Sequence, residues 1–196
     1  MTVRRVAQDP RPASRDTRAR IVAAGIRCIA RDGVSGASIS AIAAEAGVSK
    51  ALLHYHFAHR AELLGEMVLT LTDRHVARER GALASGSAAG TVDALWNWLA
   101  DEIRRGELQV LLMLRGVQEP SVRSALESTG RRRREVAATT VAGLFARLGL
   151  TPRISVELIG NATVVFVDGL VLDHATGGNA RASFDVFWLA ILSLGE

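Results

Sequence analysis

Lys50 is the one lysine in the chain; every other non-histidine basic residue is arginine. A lysine ammonium has two uses on nucleic acid, contact to a guanine edge or a point charge against phosphate. Around it, apolar residues recur at Val48, at Leu52 or Leu53, and at Phe57, a helical spacing that turns Lys50, Ala51 and His54 to the opposite side. Small residues at the start of that side let a helix reach the floor of a major groove, where base edges carry a distinct pattern of donors and acceptors.

A helix that reads bases needs a partner to fix its angle. Upstream, Ile39, Ile42 and Ala43 define one apolar face, and Ser38 stands where an N-cap hydroxyl would satisfy free N–H groups. Gly47 follows as the turn between two crossed helices, a place for positive φ, and Ser49 caps the second helix. An earlier helix, capped by Asp16 or Thr17 and stopped at Asp32-Gly33, carries the stripe Ile21, Ala24, Gly25, Cys28 and Ile29, with Arg18, Arg20, Arg27 and Arg31 largely off it. It buttresses the two-helix unit from behind, which gives a three-helix DNA-reading domain ending near Phe57.

The block SISAIAAEAGVSKALLHYHF, with the basic amphipathic helix before it and Glu62 heading a long helix after it, resembles the TetR family of bacterial one-component regulators over roughly Arg15 to Leu71. The resemblance implies that Ser38, Ser49, Lys50, His54, Tyr55 and His56 lie at or near DNA. It also implies that the long helix after the reader acts as a lever. Two positions depart from the family pattern. Ala58, His59 and Arg60 follow the motif phenylalanine where a lysine is common, so Arg60 or His59 would replace that phosphate contact. His54 stands where a second tyrosine is common, so no base preference carries over.

Charge is placed unevenly in a chain of net charge +4. The first 31 residues hold eight arginines against Asp9 and Asp16, leaving the remainder slightly acidic. A polyanion facing the N-terminal end alone fits this asymmetry. Residues 1–14 combine arginines with two prolines and no periodicity, which predicts a flexible basic arm that either touches DNA or merely solubilises. The domains expected are this arm, a helix-turn-helix domain over 15–59, and a larger helical domain over 60–196. The single cysteine, Cys28, excludes an internal disulfide, and a cytoplasmic location follows as the expectation. No apolar run is long enough to span a bilayer.

From Arg60 to about Arg80 a long helix carries Leu63, Leu64, Met67, Val68 and Leu71, and Gly81 to Gly90 reads as a flexible break. Helices are then expected over about Val92 to Arg104, Leu108 to Gln118, Ser121 to Leu148, Pro152 to Ala175 and Arg181 to Leu194, so the fold class is all-α. Arg131 to Arg134 reads as a solvated face or a junction contact. The last two helices are apolar on more than one face, which predicts a homodimer interface through Ile159, Phe166, Leu170, Phe184, Phe187, Trp188 and Ile191.

Polar residues inside that apolar region need partners or a cavity. Asn161, Val165, Asp168 and Leu172 share a helical face and, with Trp96, Leu99 and Met113, could line a pocket for a small-molecule effector; alternatively Asp168 pairs with an arginine such as Arg115. His54, His56 and His59 lack ligand spacing, so no metal is expected. The chain also has no nucleophile elbow, phosphate-cradling glycine loop or paired carboxylates in a polar setting, so neither an enzyme nor a cofactor is expected. The sequence reading is therefore a dimeric regulator that binds a palindromic operator in double-stranded DNA and is released by a small molecule, with an activator or a ligand-independent architectural DNA-binding protein as the alternatives.

Overall fold

The structure is a computed structural model that describes residues 12–82 and 90–196. Most of the expected arm and most of the expected break therefore lie outside the described residues. Among those described there are nine helices: α1 (Pro12–Gly36), α2 (Ile39–Ala46), α3 (Lys50–His56), α4 (Arg60–Ala82), α5 (Thr91–Arg105), α6 (Glu107–Leu114), α7 (Pro120–Leu148), α8 (Val156–His174) and α9 (Ala180–Leu192). No described helix is long and apolar enough to cross a membrane.

Helix boundaries follow local chemistry. Ser38 Oγ accepts from the Ala41 N–H and Ser49 Oγ from the Leu52 N–H, each at 3.1 Å, so both reader helices begin on a hydroxyl cap. Gly47 ends α2 in the left-handed region at φ 64°, where a Cβ would be strained. Helix α1 starts at Pro12, so the last residues of the expected arm are helical, and its regular path breaks at Gly33. Helix α6 stops at Leu114 and does not reach Gln118. Pro152 does not open α8; it pairs in an isolated antiparallel bridge with Gly195, and Ser155 caps the helix instead. Asn179 performs the same service for α9.

Helices α1 to α3 form the N-terminal domain around Ile21, Ile29, Ile42, Leu53 and Phe57, all fully buried. Helix α4 roots there through Leu63, Leu64 and Met67 and packs along α7, which packs in turn on α8. The α7–α8 crossing is close at Gly160: a Cβ there would lie 2.6 Å from the Ala138 nitrogen. Helix α6 touches both α1 and α4, so the two parts of the molecule meet at more than α4.

Candidate nucleic-acid interface

Leu53 anchors α3 in the core, while Lys50, Ala51 and His54 are exposed and Tyr55 is 80% exposed. His56 is half-buried, edge-on to Tyr55 with ring centroids 5.3 Å apart. Of the two leucines that could have faced inward, Leu53 does so and Leu52 remains 40% exposed. Ser38 and Ser49 are exposed hydroxyls at the N-termini of α2 and α3, where free N–H groups and the positive end of the helix dipole favour an anion such as phosphate.

Arginines of α1 hold this unit in place. Arg18 donates to the His56 carbonyl at 2.5 Å and sits over the Phe57 ring at 4.0 Å, closing the C-terminus of α3. It also pairs with Glu62 and Glu66 of α4. Arg20 donates to the Ala46 carbonyl at 2.9 Å and so closes α2. A cation at a helix C-terminus offsets the dipole as well as satisfying a free carbonyl. Arg27 and Arg31 both pair with Glu45 and hold its carboxyl below the usual range through their hydrogen bonds. Much of the N-terminal basicity is thus committed to building the reader. The sequence signal available was spacing: these arginines recur on the flank that must face α2 and α3.

Arg60, expected as a phosphate contact, donates to the carbonyls of Val34 and Ala37. Through Nε and Nη2 it ties the chain between α1 and α2 to the head of α4. Cys28 is fully buried, and burial pushes its thiol up, which matches a structural role.

The seven residues expected around an effector are not gathered into one cavity. Leu99 is in the core; Trp96 packs edge-on against Phe184 with centroids 5.3 Å apart. Met113, Asn161, Val165 and Leu172 are exposed on the single chain. Asp168 is buried and pairs with Arg115 at 2.6 Å and Arg133 at 2.7 Å, the pairing alternative extended by a second arginine. Arg133 lies inside the run read as a solvated face or a junction contact, and at 2% exposed it makes a contact at the α7–α8 junction. The buried stripe of α7, Ala125, Thr129, Arg133, Val136, Ala137 and Thr140, passes straight through it, and that period was readable.

Of the residues expected at a dimer interface, Ile159, Leu170, Phe184, Trp188 and Ile191 belong to the chain's own core. The surplus apolar face exists but lies a step around the helices, on Leu158, Val165, Val186 and Leu189, with Phe166 and Phe187 stacked 3.9 Å apart between them. An open recess of about 520 Å³ there is lined by Phe166, Ala182, Ser183, Val186 and Phe187.

This geometry is that of a helix-turn-helix domain joined to a larger helical domain. Residues 21–67 match the family model described as bacterial regulatory proteins, tetR family. The chain as a whole is similar to a transcriptional regulator from Rhodococcus sp. RHA1, with 25% identity and TM-score 0.75 over 91% of this chain and 97% of that one. A TetR transcription regulator from Haloarcula marismortui shares the fold at 16% identity, TM-score 0.76, over 93% and 100% of the two chains. So does a regulator from Saccharomonospora viridis solved in complex with choline, at 22% identity, TM-score 0.70, over 93% and 99%. No curated protein matches. Residues 21–67 are thus similar to the tetR family of bacterial regulatory proteins, and the chain as a whole has the fold of these transcriptional regulators.

Proposed function

We propose that the chain is a dimeric, effector-responsive repressor that places one α3 in each of two successive major grooves of a palindromic operator and is released when a small molecule binds the helical domain. The observation that carries the DNA reading is the outward face of α3: a capped helix presenting Lys50, Ala51, His54 and Tyr55 while Leu53 is fully buried beneath them. Small residues beside a cation and hydrogen-bonding rings suit base edges, and Ser38 and Ser49 at helix N-termini suit the flanking phosphates.

Dimerisation is supported by Leu158, Val165, Val186 and Leu189, each more than half exposed on adjacent helices. Large apolar side chains left exposed on neighbouring helices are a usual mark of an association site, and a two-fold axis lets such a face cover itself. The choline held by the Saccharomonospora viridis regulator supports a small-molecule effector for this fold. Repression by promoter occlusion and a cytoplasmic location complete the reading.

The test is selection of bound duplexes from a randomised DNA pool by the purified protein. An inverted repeat with half-sites about one helical turn apart is expected. Recovery of no preferred sequence would contradict the operator reading and favour a ligand-independent architectural role.

A further inference from the structure

Midway along α4, on the face turned away from solvent, His75 and Glu79 are 3% and 4% exposed. Facing them from α5 is Glu102, fully buried, with Trp98 one turn before it. His75 Nδ1 is 2.8 Å from Glu102 Oε2, and its Nε2 is 3.8 Å from Glu79 Oε2. The two carboxylates are not equivalent. Glu102 also accepts from Arg78, which bridges on to Glu107 at the head of α6. Glu79 has no arginine at salt-bridge distance among the described residues; its neighbours are His75, the Thr140 hydroxyl and, farther off, the charges of Arg133 and Glu102. Arg133 is itself directed at Asp168 of α8.

Hydrogen-bond chemistry constrains this arrangement. Glu102 is an acceptor, so His75 donates from Nδ1, and a neutral ring then presents a bare lone pair at Nε2 to Glu79. A protonated Glu79 carboxyl meets that lone pair with a donor, and burial without a close cation favours this neutral form. Loss of that proton leaves Glu79 as a buried charge beside Glu102, with no close cation.

We propose that the His75–Glu79 pair holds a single exchangeable proton that locks α4 to α5 and α7, and that its loss at rising pH loosens this layer and alters DNA affinity through the lever helix. The geometry makes α4 the shared part: Leu63, Leu64 and Met67 of the same helix lie in the core beneath the reader. Burial pushes Glu79 up, while burial of Glu102 is outweighed by its hydrogen bonds from His75 and Arg78, which hold it down. A carboxyl raised in the folded state favours folding below its ordinary range, and that advantage is lost as pH rises through the raised value, so the locked form belongs to the lower-pH side.

The comparison is between the wild type and Glu79→Gln, whose amide can donate to Nε2 without titrating. Urea unfolding of both proteins is followed from about pH 5 to about pH 9, from just above the ordinary carboxylate range upward. The folding constant of the wild type is expected to fall relative to the variant by up to about tenfold per pH unit, the linkage of one proton. Parallel curves would overturn the lock. If the variant does not fold, the histidine ring spectrum of the wild type decides: His75 is expected to keep Nδ1–H throughout, and an Nε2–H tautomer overturns the proposal. The DNA arm rests on the regulator reading. It measures operator affinity of both proteins over the same pH range, with His54, His56 and His59 common to both. Divergence supports transmission, and a constant ratio of affinities overturns it while leaving the stability result to stand separately.

Discussion

Arg60 and Arg18 show how single guanidiniums set the reader. Arg60 spans from α4 to the carbonyls of Val34 and Ala37, and Arg18 from α1 to the carbonyl of His56. A hydrogen bond to a charged group contributes about 1.5–3 kcal/mol, so Arg60→Ala, which removes two, is expected to cost at least that much in urea unfolding. Arg60→Lys should recover only part of it, because one ammonium does not reproduce the planar fork. A neutral Arg60→Ala would mean that the two carbonyls are served by water. Asp168 is a sharper case. It receives both Nη atoms of Arg133, which is buried, and breaking such a pair from one side costs about 3–5 kcal/mol. Asp168→Ala is therefore expected to destabilise the helical domain by that amount; a variant of wild-type stability would return Asp168 to the list of effector contacts.

Among the elements, the α7–α8 crossing depends on the absence of one side chain. Gly160→Ala places a methyl 2.6 Å from a backbone nitrogen and 2.7 Å from a Cα of Ala138, neither of which can swing aside. Overpacking of this kind costs about 1–3 kcal/mol, and a lowered urea midpoint checks it. Helix positions of this kind show what was legible in the sequence. The reader was legible because local signals coincide there: Ser38 and Ser49 cap, Gly47 turns, and Ile42 and Leu53 mark the buried face. The layout of the nine helices among the described residues was largely legible from apolar periodicity. Which polar residues turn inward was only partly legible: Arg133 falls on the buried stripe of α7, whereas His75 and Glu102 take their places from each other across two helices and Glu79 lies one turn from His75. Their position on otherwise apolar stripes was the available signal. The exposed apolar face lies away from the expected residues for a related reason: periodicity finds apolar faces on α8 and α9, but only the packing of α5 and α7 decides which of those faces the chain uses itself.

For the whole molecule, two surfaces matter, the exposed face of α3 and the apolar face of α8 and α9. Val186→Glu with Leu189→Glu puts two charges on the second surface without touching the core, since both are about two-thirds exposed or more. Sedimentation is expected to show a monomer of unchanged helicity that has lost tight operator binding, because a single half-site offers only part of the contacts. A compact dimer in that variant would move the interface elsewhere.

The central claim, that α3 reads DNA with its outward face, is tested most directly by anisotropy titration of the selected duplex with wild type and Lys50→Ala at several salt concentrations. Lys50 is exposed and belongs to no core contact, so the variant is expected to fold and dimerise as before. If the ammonium meets a guanine, affinity falls by about 1–3 kcal/mol, lost when that base pair is changed; if it meets phosphate, the salt slope falls by roughly one. Identical affinity and identical salt slope in the two proteins would contradict the account.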